Sequence, residues 1–157
     1  MDNRSAARTR GFTIAELVII LAISAVTMAI AAPPIARAFR NTATQSAADE
    51  FVSTHALAKS AAIRFGRTAE LHIDTLSAEF YVMVDTAGTG TPVRVSLVKD
   101  LKKYKVELTS TRSIVCFDAR GLPTTRGVCE PGDAMLTFTA GDDYEELTIT
   151  ALGRVLR

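Results

Sequence analysis

The sequence has few of the residues and motifs on which catalysis usually depends. It contains only two histidines, His55 and His72, and neither is accompanied by cysteines or acidic residues at metal-ligand spacing. No nucleophile motif is present, and the Gly-Thr segment at 85–92 lacks the Lys-Ser/Thr pair of a phosphate-binding loop. We therefore expect a protein that is not an enzyme and has no cofactor or metal, and in which both histidines are structural or surface residues.

The net charge of the chain after residue 11 is also small. The 157 residues carry a net charge of +1, and three arginines against Asp2 place +2 of it in residues 1–11, which leaves −1 for the remainder. This balance gives no support for a general nucleic-acid binder. The sequence also lacks internal repeats and low-complexity tracts, and its length corresponds to one domain with room for an appended helix.

The main feature that is present is a long apolar run near the N-terminus. Residues 12–32 read FTIAELVIILAISAVTMAIAA, which is 21 residues with a single charge at Glu16. About 20 such residues cross a bilayer as a helix. A cleaved secretory signal would explain the basic leader and the Ala-Ile-Ala at 29–31, but the apolar core of such a signal is roughly 7–15 residues long. A plain anchor with a cytoplasmic N-terminus fits the arginines, but it leaves Glu16 without a partner.

A third interpretation supplies that partner. The segment RGFTIAEL (10–17) resembles the processing site of type IV prepilins, in which a short basic leader ends in Gly and is followed by Phe, with Glu fifth after the cut. The resemblance implies that a prepilin peptidase cleaves between Gly11 and Phe12 and that Phe12 becomes N-methylated. It also implies that Glu16 acts in assembly, because its carboxylate would pair with the Phe12 ammonium of a neighbouring subunit.

Two prolines follow the apolar run. Pro33 is residue 22 counted from Phe12, where pilin helices commonly carry a proline, and Pro34 doubles it. Two consecutive prolines remove two backbone donors, so they are expected to kink or locally melt the helix. The alternative is that they simply end an anchor.

The remainder predicts a second part of the helix and then a sheet. From residue 35 to about 65, apolar residues recur every three or four positions, which predicts a helix with one face on a sheet and Gly66 as its stop. Alternating segments then predict strands at 68–74, 78–85, 93–98, 104–109, 113–117, 134–139 and 145–150, and a short C-terminal strand. The expected fold is α+β, a long N-terminal transmembrane and spine helix packed on a small antiparallel sheet or sandwich.

The last third of the chain resembles the GspH/FimT branch of pilin-like proteins. The segments IVCFDARGLPTTRG (114–127) and LTFTAGDDYEELTITALGRVLR (136–157) carry a strand ending in Phe, an Asp-x-x-Gly turn and a final strand with Gly-Arg. The matching residues are Phe117, Asp118, Gly121, Gly153 and Arg154. With the prepilin motif, this implies a type IV pilin-like organisation: a leader (1–11), a transmembrane and assembly segment (12–32), the periplasmic half of the helix (33–66) and a β-rich domain (67–157).

The resemblance also implies a function and a location. We expect a structural pseudopilin of a type II secretion pseudopilus, acting in protein export through filament assembly. The alternative is a FimT-like minor pilin of a type IV pilus that binds DNA during uptake, and a third hypothesis is an unrelated membrane-anchored binding module. The expected partners are prepilin peptidase, other pseudopilins or minor pilins and the bacterial inner membrane, with secreted proteins or DNA as further candidates. The chain would cross that membrane once, with a cytoplasmic N-terminus and a periplasmic C-terminal domain.

Two cysteines and two C-terminal arginines complete the candidate residues. Export would make a Cys116–Cys129 disulfide the default, whereas two free thiols are the alternative. Such a bridge would close a loop of about fourteen residues and contribute about 3 kcal/mol in the chain-entropy model.

Arg154 and Arg157 are the candidate DNA-binding residues, because arginines on one rim bind phosphates bidentately. Arg112, Arg120 and Arg126 would lie nearby if the cysteine-bounded loop folds back. The alternative is a solvated final strand whose charges are balanced by the acidic residues at 142–146.

Overall fold

The structure is a computed structural model that describes residues 12–125, 127–129 and 132–157. In this part of the chain one α-helix, α1 (Ile14–Phe65), precedes a series of strands, and a 3-10 helix (Lys102–Tyr104) occupies the start of the predicted strand at 104–109, so that the strand there begins only at Glu107. The strands are β1 (Ala69–Asp74), β2 (Glu79–Val84), β3 (Val93–Arg94), β4 (Lys99–Asp100), β5 (Glu107–Ser110), β6 (Ile114–Phe117), β7 (Ala134–Ala140), β8 (Asp143–Ile149) and β9 (Val155–Leu156). The predicted fold class, a long N-terminal helix with antiparallel sheets, is confirmed.

The chain divides into two compact units, residues 1–37 and 38–157. In the described part of the first unit every side chain is exposed, and the apolar stretch of α1 is long and apolar enough, by length and composition, to cross a membrane. Pro33 and Pro34 lie within α1, whose helical assignment continues past them. The prolines therefore do not interrupt α1, and the hypothesis that they end a membrane anchor stays a prediction.

The C-terminal end of α1 is closed as the sequence predicts. Gly66 adopts a left-handed φ of +63°, and its N–H donates to the carbonyl of Ile63 at 3.2 Å. The N–H of Arg67 donates to the carbonyl of Ala62 at 3.1 Å. This pair of bonds is a Schellman motif, which satisfies carbonyls that the last helical turn leaves unpaired and which favours glycine at the left-handed position.

Two antiparallel sheets form the rest of the second unit. Sheet A has the order β3-β2-β1-β6, with β4 also paired to β2, and sheet B has the order β5-β7-β8-β9. The ring of Phe51, on α1, lies 5.3 Å from Phe80 of sheet A and 6.0 Å from Phe138 of sheet B, measured between centroids. Because Phe51 is fully buried, the helix contributes a shared core residue to both sheets.

The predicted strand at 93–98 is only partly correct. Two short strands replace it: β3 pairs with the end of β2, and β4, which the sequence did not predict, pairs with its beginning. Between them the N–H of Val82 donates to the hydroxyl of Ser96 at 2.8 Å rather than to a backbone carbonyl. The extra residues form a bulge along this edge, and bulges of this kind blunt an exposed sheet edge.

Candidate functional site

The start of α1 carries the candidate assembly residue Glu16. The hydroxyl of Thr13 accepts a hydrogen bond from the backbone N–H of Glu16 at 3.2 Å, so Thr13 is the N-cap and Glu16 is the third helical residue. Thr followed three residues later by Glu is the sequence pattern of a capping box. Glu16 also lies in the first turn, where a carboxylate interacts favourably with the helix dipole. This local role was missed from the sequence, although the Thr-x-x-Glu spacing was visible.

The predicted processing site lies partly outside the described residues. Gly11 is not among them, so the Gly11–Phe12 cleavage and the methylation of Phe12 remain predictions. The Phe12 side chain is 73% exposed, and the apolar residues that follow it are also unburied within this chain. A largely apolar surface of this size needs either lipid or another protein to cover it.

The structure joins Cys116 to Cys129 in a disulfide, as the sequence predicted for an exported chain. Their Cα atoms are 5.6 Å apart, and both residues are buried. Cys116 lies opposite Glu70 in the β1–β6 ladder, so the bridge stands on the same face of sheet A as Glu70. The bridge thus holds the loop that follows β6 against the edge of sheet A.

The first turn of that loop is organised by Asp118. Its carboxylate accepts the backbone N–H groups of Arg120 and Leu122 at 2.9 and 3.0 Å, and it also pairs with the Arg120 guanidinium. These contacts, led by the N–H of Leu122, hold the pKa of Asp118 below its ordinary value. The Asp-x-x-Gly motif is therefore a structural turn, and Gly121 supplies the left-handed φ of +75° that closes it.

The loop and the C-terminal segment meet at Gly153. This glycine has a φ of +73°, and a Cβ atom there would lie 2.8 Å from Cγ of Pro123. The carbonyl of Gly153 also accepts a hydrogen bond from Nζ of Lys59, on α1, at 3.3 Å. The Gly-Arg motif thus places its glycine where only a residue without a side chain fits between loop and helix.

Arg157 is held by two carboxylates. Its guanidinium binds Glu145 on β8 and lies 3.0 Å from Asp49 on α1. The hydrogen bond to Glu145 is the main reason why the pKa of Arg157 is raised, and Asp49 adds to the effect. Arg157 therefore links the last strand to the helix, and phosphate binding there would compete with both acids.

Arg154 has a different environment from Arg157. It is exposed, and both of its backbone groups bind Thr150: the N–H donates to the hydroxyl at 3.1 Å, and the carbonyl accepts the Thr150 N–H at 2.8 Å. Among the described residues its side chain has no carboxylate partner. Arg120 is paired with Asp118, and Nε of Arg112 donates to the carbonyl of Asp133 at 3.2 Å. Arg126 lies outside the described residues. The described arginines therefore bind separate partners. Of the two candidate DNA-binding residues, Arg154 is more available for phosphate than Arg157.

The two histidines have contrasting surroundings. His55 is 5% exposed, its ring meets Phe117 edge-on at 5.1 Å, and its Nε2 has no hydrogen-bond partner within the described part of the chain. Burial and the nearby Lys59 lower its pKa to about 4. His72 is half-buried on sheet A, where it stacks on Tyr81. Both positions agree with the expectation of structural histidines.

Further ion pairs that the sequence did not reveal hold α1 to the sheets. Glu50 binds Nζ of Lys99 at 3.1 Å and of Lys103 at 3.2 Å. Burial would raise the pKa of Glu50, but the two lysines outweigh it and the pKa is lowered. Arg40 and Asp143 form a further pair at 2.9 Å. These partners are at least 49 residues apart in sequence, so no local spacing signal pointed to them.

A scan of the chain against protein-family models finds no match, and no curated protein matches it. Among solved structures, however, the comparison defines a class: type IV pilin-like minor subunits share this fold. The minor pseudopilin EpsH of the type 2 secretion system of Vibrio cholerae matches with a TM-score of 0.56 and 16% sequence identity, over 72% of this chain and 94% of EpsH. The type IV minor pilin FimU of Pseudomonas aeruginosa strain PAO1 matches with a TM-score of 0.54 and 19% identity, over 72% of this chain and 86% of FimU.

These neighbours confirm the predicted type IV pilin-like fold. They include both a pseudopilin and a pilus subunit, at nearly equal similarity, in accordance with the resemblance to the GspH/FimT branch. The comparison therefore shows a type IV pilin-like fold and does not distinguish a pseudopilin from a pilus subunit.

Proposed function

We propose that this protein is a minor pseudopilin, a structural subunit of a type II secretion pseudopilus that acts in protein export through filament assembly. The observation that carries the proposal is the combination of an unburied, membrane-length apolar helix segment with a β-domain of the EpsH fold. In this role the protein is not an enzyme. It is anchored in the bacterial inner membrane with its N-terminus in the cytoplasm and its C-terminal domain in the periplasm.

The proposed assembly follows from the first turns of α1. Prepilin peptidase cleaves after Gly11 and leaves Phe12 as a methylated, cationic N-terminus. Glu16 pairs with this ammonium on a neighbouring pseudopilin, because a carboxylate in an apolar environment needs an opposite charge. The exposed apolar residues of the helix then become buried among other subunits, while the β-domain remains outside and accessible to secreted proteins.

Substitution of Glu16 tests this proposal. We expect Glu16→Ala to insert into the membrane normally and to be processed, yet to fail in cross-linking to other pseudopilins and in secretion. Glu16→Gln is the matched control, since it preserves the size of the side chain and loses its charge. Both variants should fail if the ion pair matters, and intact mass should show loss of residues 1–11 in each. Normal assembly of Glu16→Gln would refute the ion pair, and a chain that retains residues 1–11 in cells with active peptidase would refute the pseudopilin assignment.

A second candidate function is a minor pilin that binds DNA during uptake. Two observations favour it: the nearly equal similarity to FimU, and the exposed Arg154, which follows Gly153 where that residue approaches Pro123. A gel-shift titration of the full chain with duplex DNA tests it. Arg154→Ala should weaken binding at low salt and flatten the salt dependence by about one phosphate contact. Arg157→Ala is the comparison variant, because the guanidinium of Arg157 already binds two carboxylates in the folded chain. Binding that neither variant changes would eliminate this candidate.

A further inference from the structure

The face of sheet B that points away from α1 has no partner within the second unit. Phe138, which contacts Phe51 of α1, lies on the opposite face, and burial alternates along each strand. The strand registers place the following residues on the outer face: Glu107, Thr109, Met135, Thr137, Thr139, Tyr144, Glu146, Thr148 and Leu156. Tyr144 is 67% exposed, Leu156 49% and Met135 46%. The outer face therefore presents an aromatic ring and two apolar side chains to a partner.

One end of the outer face carries Arg154. Its carbonyl accepts the N–H of Thr150, which continues the β8–β9 register and places Arg154 on the outer side with Leu156. Asp133 lies in the same row, but its Oδ1 accepts the N–H of Ala151 at 2.6 Å, and its carbonyl accepts Nε of Arg112. Two arginines and one aspartate make this end of the face positive.

The other end of the outer face is acidic. Glu107 and Glu146 point outward there, and Asp142 is exposed in the turn between β7 and β8. Lys105, two residues before Glu107, offsets one of these three charges. The remaining acids of β8 point inward, where arginines bind them. Among the described residues the carboxylate of Glu146 has no ion-pair partner, so it is available to a cation from another molecule.

The distance between the two ends determines how two copies can pair. Thr150, in the row of Arg154, lies four residues after Glu146 on β8, or about 14 Å along the strand. Under the proposed function all copies enter one membrane in the same direction, so their β8 strands run the same way. Two such copies facing each other at the same level would oppose like charges. A shift of four residues along β8 instead brings Glu146 of one copy to the row of Arg154 of the other.

The same shift also matches the apolar residues. It moves Tyr144 of the displaced copy from its own level to the level of Thr148 of the other copy. Thr148 has Met135 and Leu156 as its register partners on the two sides. The exposed ring of Tyr144 would thus lie between two exposed apolar side chains. The ion pair and the apolar contact are independent, and both require the same displacement.

We propose that the outer face of sheet B binds a second copy of this chain, which runs in the same direction and is shifted by about 14 Å towards the C-terminal end of β8. Arg154 of the first copy pairs with Glu146 of the second, and Tyr144 of the second packs between Met135 and Leu156 of the first. The two copies use different parts of the face. The contact is therefore heterologous and can be repeated along a filament, which is the assembly that the proposed function requires.

Cross-linking between two full-length chains in the membrane tests the displacement. The first chain carries Thr148→Cys, and the second carries Thr139→Cys, because Thr139 is the register partner of Tyr144. The native cysteines are joined in a disulfide, so the introduced thiols are the ones that a short bismaleimide can join. With different tags on the two chains, we expect a mixed dimer. Either variant alone should give no dimer above background, because its thiols would lie about 14 Å apart along β8.

Charge reversal in one chain at a time supplies a matched control. Arg154→Glu in the Thr148→Cys chain should lower the yield of mixed dimer about threefold to fivefold, as expected for an exposed ion pair. The same substitution in the Thr139→Cys chain should leave the yield unchanged, because the Arg154 of that chain is not at this contact. Glu146→Arg in the Thr139→Cys chain should restore the yield that Arg154→Glu in its partner lowers. A folding defect would not be rescued in this way.

Four results would overturn the proposal: no mixed dimer, an equal effect of Arg154→Glu in the two chains, a dimer from Thr148→Cys alone, or a dimer that nuclease abolishes. The third would indicate two copies in opposite directions, and the fourth would indicate DNA bridging. Intact mass and secretion in the same cells report on the proposed function separately. Processed chains that support secretion without the cross-link would remove this contact alone, whereas chains that retain residues 1–11 would count against the proposed function.

Discussion

The buried imidazole of His55 makes the stability of the β-domain dependent on pH. Its Nε2 has no hydrogen-bond partner among the described residues, and burial, aided by the cation of Lys59, lowers its pKa from the ordinary 6.5 to about 4. Between about pH 4 and pH 6.5 the unfolded chain binds a proton at His55 that the folded chain does not bind. Stability is therefore complete above pH 6.5 and is lost progressively as the pH falls towards 4.

The size of the effect follows from the same pKa values. At about 1.4 kcal/mol per pH unit, the fall of the pKa from 6.5 to about 4 corresponds to a loss of at most about 3.5 kcal/mol. The carboxylate of Glu50, whose pKa is lowered from 4.5, adds a further loss only at the acidic end of this window, so readings above about pH 5 report on His55. Asp85 and Asp118 have pKa values lowered from 3.8, by backbone N–H groups and neighbouring cations, so their stabilising contribution is lost only below about pH 4.

Urea unfolding of the full chain between pH 7.5 and 4.5, followed by tyrosine fluorescence, measures the loss. His55→Leu should be at least as stable as the parent at pH 7.5, because it removes an unpaired buried nitrogen, and its stability should vary far less with pH. His72→Gln is the control, since it removes the only other histidine, and it should keep the parent's pH dependence. The reasoning is refuted if His55→Leu loses stability with falling pH as steeply as the parent chain does.

Two further predictions concern the contacts that join the loop, the helix and the sheets. Gly153→Ala should lower the free energy of unfolding by about 2–4 kcal/mol, because the methyl group adds a clash with Pro123 to the strain of a positive φ. Gly90→Ala isolates the strain alone, at about 1–2 kcal/mol, because its φ of +81° is similar but no atom lies within 4 Å of its Cβ position; equal losses in the two variants would contradict the clash. Glu50→Gln should lower stability by about 1–2 kcal/mol at low salt through weakened bonds to its two lysines, whereas Glu146→Gln, at an exposed position of β8, should have little effect. Thermal unfolding at two salt concentrations measures the stability of the glycine variants and of the glutamate variants. A Glu50→Gln variant as stable as the parent would show that the ion pairs with the two lysines do not stabilise the fold.

The elements of the fold were predictable because their signals are local. Three-to-four spacing identified the packed face of α1: of its five predicted members Phe51, His55, Ala58 and Ala62 are buried, and Phe65 is half-buried. Gly66 was predicted as the stop, and it closes the helix for the reason expected of glycine. The edge of sheet A was harder to predict. The alternation at 93–98 is that of a strand, but the Ser96 hydroxyl takes a bond that a continuous ladder would have used.

The candidate sites were predictable only in part. The cysteine pair was identified from compartment and spacing, and the structure joins it. Arg157 was chosen for its position near the C-terminus, but its partners Asp49 and Glu145 depend on how the last strand meets the helix. Pairing of this kind is a property of tertiary packing, so the sequence did not distinguish the engaged Arg157 from the available Arg154.

The N-cap of α1 has a consequence for the electrostatics of the processed protein. Because Thr13 is the cap, the proposed cleavage after Gly11 would leave a single residue, Phe12, ahead of the cap. The new cationic amine would then stand beside the positive end of the helix dipole, and that proximity disfavours the first turn. Glu16 lies one turn further along and can neutralise this charge within its own subunit. Under the proposed function, an unassembled subunit would therefore carry a carboxylate one turn from its own amine, and assembly would bring the amine of a neighbour to the same carboxylate.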